Sequence, residues 1–301
     1  MNPLLLAGGL GTRISYDSYY TAKYQAFKVF YNFTRELKSN TRETVIVYQM
    51  GKVGSTTVFK SLRTLKNVDV YHVHTLTRDG IEKVENMYKN NSHRTRNIYE
   101  HLLESQYLRN QLDKGLEGKN KWKVVTLVRD PIAKNISSFF HHLETRLGYE
   151  YKTKKEVMKI EDIIEELTKR FLRRLNGHEN SLTWFERELK PVFGIDVYSR
   201  AFPKSKGYEI YESEYADVLV LRLENLNECG CDAFKNFLDL NEFNLVPRNV
   251  GNNKSYRDIY QGFLDSIVLP DSYIEKMYTS KYVRHFYSEE ETEAFKAKWR
   301  S

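Results

Sequence analysis

Thr44 to Tyr48 reads TVIVY, and it runs directly into Gln49-Met50-Gly51-Lys52-Val53-Gly54-Ser55-Thr56-Thr57. An unbroken β-branched run with no alternating polar residue fits a strand buried on both faces, the condition of a parallel sheet. Gly51 and Gly54 end that strand, and Ser55 to Leu65 continues with helical spacing. The first N–H groups of such a helix have no partner within it, so the turn favours an anion. Lys52 adds a positive charge, and Ser55, Thr56 and Thr57 add hydroxyl donors. The assembly suits a terminal phosphate or sulfate. It is not a Walker A loop, which needs Gly, four residues and then Gly-Lys-Ser/Thr; here the lysine precedes the second glycine. A tight strand–helix turn with a surface lysine is the plain structural alternative, and the buried strand ahead of the loop weighs against it.

The same alternation repeats along the chain. Val68 to His74, Val124 to Val128 (VVTLV) and Val218 to Leu223 (VLVLRL) read as further strands. Helical patterns fall at Ser18 to Leu37, at Asp79 to Lys114 with a break near Asn90 to Ser92, and from Pro131 through Leu143. Helices then dominate to Leu189 and again in the C-terminal third, which closes on the charged segment Ser288 to Arg300. Strands alternating with helices predict an α/β fold: a central, doubly wound parallel sheet flanked by helices, with helical insertions. At 301 residues and 41% hydrophobic, the chain can fill one large α/β core. No Pro-, Gly- or Ser-rich stretch marks a linker. The organisation expected is an N-terminal segment and helix over 1–40, packed on a single domain over 41–301.

The net charge of +7 fits a polyanionic ligand, a nucleic acid or an acidic surface. Basic and acidic residues are interleaved throughout, and no nucleic-acid-binding motif accompanies the charge. Cys229 and Cys231 lie one residue apart, a spacing that suits neither zinc nor a CxxC redox pair, so they read as reduced thiols. No apolar run approaches the ~20 residues of a transmembrane helix, and Leu4-Leu5-Leu6 is too short for the core of a signal peptide. These features predict a soluble, cytoplasmic protein without a transmembrane segment.

A second element narrows the chemistry. Asp130 is a good helix N-cap and Pro131 a good first helical residue. Arg129 therefore sits where a strand ends and a helix starts. Ser137 lies about two turns along that helix. An arginine and a hydroxyl so placed can hold a second phosphate, although Arg129 paired with a carboxylate is the simpler alternative. Together the two elements resemble the PAPS-dependent sulfotransferases, whose donor is 3′-phosphoadenosine 5′-phosphosulfate. In that family the first loop grips the 5′-phosphosulfate and an R-[DN]-P-x5-S stretch grips the 3′-phosphate. Arg129-Asp130-Pro131 and Ser137 match the second pattern, and Lys52, Ser55 and Thr56 match the first. The family often has Pro-Lys-Thr where this chain has Gly51-Lys52-Val53. Tyr71-His72-Val73-His74 resembles the His-x-His region of the heparan-type 2-O-sulfotransferases, in which the second histidine is the general base. Asn253-Lys254-Ser255-Tyr256 and Ser280-Lys281-Tyr282 resemble a bacterial family of capsular polysaccharide synthesis proteins, itself sulfotransferase-like.

The resemblance implies a P-loop NTPase-like sulfotransferase fold, PAPS as donor with PAP as product, no metal, and a hydroxyl-bearing acceptor, in particular a glycan. It implies donor contacts from Gly51, Lys52, Val53, Gly54, Ser55, Thr56, Thr57, Arg129, Ser137 and Lys254. Lys52 would stabilise the bridging oxygen as PAP departs. His74 is the first choice of base, because it ends a strand on the same edge as the loop and titrates near neutrality. His72 shares its face of an extended strand, and His141 and His142 follow Ser137 on the same helix. Trp184 and Phe185 read as core residues of a helix. Leu6 to Arg13 (LAGGLGTR) resembles the first loop of sugar-nucleotidyltransferases, but lacks an adequate preceding strand and the expected downstream Pro-Lys pair. Two other functions stay open. One is a P-loop kinase or NTPase, with Asp130 as the candidate metal-holding aspartate. The other is a non-catalytic nucleotide-binding module in capsular polysaccharide synthesis.

Overall fold

The computed structural model of the chain describes residues 16–38, 43–89, 96–115, 121–141, 158–246 and 257–300. The Gly-rich segment Leu6 to Arg13, His142 and Lys254 lie outside these residues. The chain divides into two units, Met1–Arg42 and Glu43–Ser301. The first contains helix α1 (Tyr16–Lys38), close to the span expected from its periodicity. Within α1, Arg35 donates to the Tyr31 hydroxyl one turn back, at 3.1 Å.

The second unit is an α/β structure built on a five-stranded sheet of β1 (Glu43–Tyr48), β2 (Val68–Val73), β3 (Trp122–Val128), β4 (Tyr208–Glu212) and β5 (Ala216–Arg222). Their order is β2-β1-β3-β5-β4. β2, β1, β3 and β5 run parallel, whereas β4 pairs antiparallel with β5. Central strands are buried on both faces: Val45 to Tyr48 in β1, Val124 and Val125 in β3, and Val218 to Leu221 in β5 are all sealed from solvent. This is why their sequences read as continuous apolar runs. β4 departs from the all-parallel expectation. Its YEIYE sequence buries Tyr208 and Tyr211 and leaves Glu212 exposed, as an edge strand does.

Helices flank the sheet. α2 (Ser55–Leu62) joins β1 to β2, and α3 (Arg78–Lys89) and α4 (Arg96–Asp113) lie between β2 and β3. α5 covers 131–141 directly after β3. α6 (Ile160–Leu172) leads into a π-helical turn, Phe185–Leu189, and the short α7 (Lys190–Phe193). α8 (Leu226–Leu238) follows β5, and α9 (Arg257–Ser266), α10 (Asp271–Tyr278), α11 (Lys281–Phe286) and α12 (Glu289–Arg300) complete the chain. Among the described residues no helix is long and apolar enough to cross a membrane.

Open α/β sheets generally bind ligands at a topological switch point. From β1 the chain goes through α2 to β2 on one side, then crosses back to β3 on the other. The carboxyl ends of β1 and β3 thus flank a switch point, where connections leave in opposite directions and open a crevice. Gln49 to Gly54 and Arg129 lie at those two ends.

Candidate functional site

The loop after β1 is a strained and tightly seated turn. Lys52 adopts a left-handed backbone at φ 72°, and Gly54 does so at φ 90°. A Cβ at Gly54 would stand 2.3 Å from Leu223 Cδ1, so only glycine fits. Val53 is fully buried, which leaves its backbone alone able to meet a ligand. Gly54 occupies the N-cap of α2 without a side-chain cap, and the first turn of α2 carries no acidic residue. Thr57 N donates to Gly54 O, while the N–H groups of Gly54, Ser55 and Thr56 make no hydrogen bond among the described residues. A helix end in this state carries partial positive charge with donors to spare.

Arg129 reaches this loop from the neighbouring strand: its Nη1 donates to the Lys52 carbonyl at 3.0 Å. Among the described residues it forms no ion pair with a carboxylate, so the simpler alternative raised for it does not hold there. Its backbone is fixed by Tyr282, whose hydroxyl accepts from Arg129 N and donates to Arg129 O, both at 3.0 Å. Asp130 caps α5 through Ile132 N at 2.9 Å and also accepts from the Tyr278 hydroxyl at 2.9 Å. The N–H of Asp130 donates to Glu224, which also accepts from Tyr287. Three tyrosines from the C-terminal region thus hold one strand–helix turn. Asp130 is buried, and burial raises its pKa; the cap and Tyr278 both bond to its Oδ1. Ser137 is half-buried on α5, as its spacing predicted.

The histidines gather across the loop. His74 Nδ1 lies 2.9 Å from the Gln49 carbonyl oxygen. That oxygen only accepts, so Nδ1 carries the proton and Nε2 keeps its lone pair. Burial pushes the His74 pKa down to about 4, and the nearby His101, Lys52 and His141 push the same way. The residue still presents an open face to solvent, so it is not part of the core. Burial dominates the downward direction, the bond to the Gln49 carbonyl opposes it, and the exposed face of the ring moderates it. The His72 ring stands 5.0 Å from that of His74 and 5.5 Å from that of His101. Burial first, and then those two histidines, lower the His72 pKa to about 3. Its Nε2 is buried without a partner, as is the side-chain amide of Gln49. His101, on α4, had no sequence signal; its Nδ1 lies 2.9 Å from the His72 carbonyl oxygen.

Glu188 fastens the segment that follows His74. Its carboxylate accepts from the Tyr48 hydroxyl at 2.6 Å, from the hydroxyls of Thr75 and Thr77 at 3.0 Å each, and from the N–H groups of Leu76 and Thr77. A Cβ at Gly80 would stand 1.9 Å from Thr75 Oγ1 and 2.6 Å from Glu188 Oε1, so the bare glycine makes room for this network. The neighbouring Trp184 Nε1 donates to the His74 carbonyl at 3.4 Å. Both residues stand at the π-helical turn, a local irregularity that often accompanies function.

The protein has an α/β fold with a mostly parallel five-stranded sheet, and Lys52 and Arg129 meet at its switch point. A family model described as "NKWYS: Putative capsular polysaccharide synthesis protein" matches residues 154–288. The match spans less than half of the chain. It takes in Glu188, Tyr278, Tyr282 and Tyr287, the framework around the crevice, and leaves out the loop after β1 and Arg129. No curated protein and no solved structure matches the chain.

Proposed function

We propose that this protein is a PAPS-dependent sulfotransferase acting on a hydroxyl of a carbohydrate, in the setting of polysaccharide synthesis, on the P-loop-like sulfotransferase scaffold that its loop resembles. The observation carrying this reading is the 3.0 Å bond from Arg129 Nη1 to Lys52 O. It joins two anion-receptive elements, each with its own cation. The polysaccharide setting rests on the family match over residues 154–288.

In this reading the N–H groups at the start of α2 and the hydroxyls of Ser55, Thr56 and Thr57 orient the phosphosulfate, with Gly51, Val53 and Gly54 contributing backbone. Arg129 and Ser137 hold the 3′-phosphate, and Lys254 is a further donor contact. The acceptor oxygen forms a bond to sulfur while the bond from sulfur to the 5′-phosphate oxygen breaks. His74 Nε2 takes the acceptor proton, and Lys52 offsets the charge growing on the departing phosphate. Positioning and charge stabilisation supply most of the catalysis for a displacement of this kind. The low pKa of His74 keeps it neutral and able to accept a proton; a bound polyanion beside it would raise that pKa and strengthen the base. The kinase reading has less support because Asp130 is buried, with its Oδ1 held by the cap and by Tyr278.

Calorimetry with PAP tests the donor assignment. PAP should bind without magnesium, and Arg129→Ala should weaken it by ~10–100-fold, the worth of charge-assisted hydrogen bonds. Tight binding of ATP with magnesium and none of PAP would sink the reading.

A further inference from the structure

A second recess lies on another flank of α5, with a volume of about 480 Å³. Lys134 and Ser138 of α5 form one wall, and Arg174, His178, Asn180 and Ser181 form the other. No aspartate or glutamate lines it among the described residues. Among those residues, neither Lys134 nor Arg174 forms an ion pair. The nearest polar partner of the Lys134 ammonium is the Asn135 amide oxygen at 3.5 Å, a long contact. Burial alone lowers the Lys134 pKa, to about 8. Burial, then Lys134 and Arg174, lower that of His178 to about 4. Lys134 and Arg174 thus line one recess whose lining holds no carboxylate among the described residues.

The wall itself is ordered. Asn135 is buried and donates to the His178 carbonyl at 3.3 Å and to the Tyr273 hydroxyl at 3.4 Å. His178 Nδ1 lies 2.9 Å from the same hydroxyl, and Ser181 donates to the His178 carbonyl at 3.1 Å. Holding the buried Lys134 ammonium without a counter-charge is costly unless an anion joins it. The volume falls in the range of small-ligand sites. The hydroxyl and amide groups of Ser138, Asn180 and Ser181 suit a ligand rich in hydroxyls, and the Phe139 ring lines the same space.

We propose that this recess binds an acidic sugar, with the Lys134 ammonium and the Arg174 guanidinium gripping its carboxylate or phosphate oxyanion. The recess shares no residue with the loop after β1, so its occupancy can be read with no donor nucleotide present.

The test is NMR-monitored titration of the full chain with glucuronate, glucose 1-phosphate, glucose and inorganic phosphate. At least one of the two acidic sugars should bind, and glucose should not; the better of the two identifies the oxyanion. Arg174 is solvent-exposed, so Arg174→Gln is expected to fold, and it should weaken the acidic sugar by about tenfold or more. Lys134→Met should do the same, while Lys52→Ala should leave this binding unchanged. Equal binding of glucose, or inorganic phosphate binding as tightly as both acidic sugars, would overturn the assignment. So would loss of binding in Lys52→Ala with retention in Arg174→Gln, because the ligand would then sit in the loop after β1.

Discussion

The Tyr282 hydroxyl closes on both ends of one residue, accepting from Arg129 N and donating to Arg129 O at 3.0 Å each. Tyr282 is itself buried. The phenol therefore spends its donor and its acceptor on setting the backbone from which the Arg129 side chain departs. Tyr282→Phe keeps the ring and removes the bridge. It should cost about 1–3 kcal/mol of folding stability, the usual cost of leaving a buried polar group unpaired. It should also weaken PAP binding in calorimetry. A destabilised variant with unchanged PAP affinity would show that Tyr282 is structural only.

Glu188 should separate catalysis from donor binding. Glu188→Gln keeps the shape but turns half of an acceptor group into a donor facing the hydroxyls and N–H groups of Tyr48, Thr75, Leu76 and Thr77. Stability should fall by about 1–3 kcal/mol. Turnover should fall with the His74 segment loosened, while PAP affinity changes little. Denaturant melts and calorimetry read the two effects separately.

The histidine cluster predicts a specific pH response. His72 and His74 titrate at about 3 and about 4 in the folded protein, below the ~6.5 of an unfolded chain. Below pH ~6.5 the unfolded state therefore binds more protons, and stability falls as the pH falls through the window down to those values. The slope is at most about 1.4 kcal/mol per pH unit for each histidine, and less for His74 because of its hydrated face. Replacing His72 by Phe should flatten that slope in urea titrations between pH 6.5 and 4. An unchanged slope would place the acid sensitivity elsewhere.

Gln49 carries a different signature. It is fully buried, and both atoms of its side-chain amide lack a partner. Gln49→Met fills similar volume without the unpaired amide, so stability should rise by about 1–2 kcal/mol. If the amide serves a ligand in the crevice, turnover should drop at the same time, as happens when polar groups are held unsatisfied for function. Thermal melts and donor turnover on the same preparation check both halves.

What the sequence disclosed follows from which forces act locally. β1, β3 and β5 were legible because strands buried on both faces are largely apolar, as Val45 to Tyr48 and Val218 to Leu221 are; β2, at the sheet edge, showed through its valines, Val68, Val70 and Val73. β4 was not, because an antiparallel edge strand such as Tyr208–Glu212 alternates glutamate with tyrosine and resembles a loop. The period of two along β2 correctly placed His72 beside His74, whose ring centroids are 5.0 Å apart. His101 escaped notice because it arrives from α4, where nothing local marks it. Glu188 looks like any helix-surface carboxylate, and its burial is decided by partners more than a hundred positions away. Tyr282 is separated from Arg129 by 153 positions, and no local pattern announces such a pairing. The loop after β1 was readable because its chemistry is local; the frame that holds it was not.

The central claim is that the crevice moves a sulfuryl group and does not merely bind a nucleotide. The direct test is label transfer from sulfur-labelled PAPS to a panel of bacterial glycans, in EDTA, for the native chain, Lys52→Ala and His74→Ala. The account predicts transfer that survives EDTA, a turnover loss in His74→Ala on the order of ~10²–10⁴-fold, and a loss in Lys52→Ala far larger than its loss of PAP affinity. PAP binding without transfer to any acceptor, indifferent to His74→Ala, would contradict it and leave a binding module in its place.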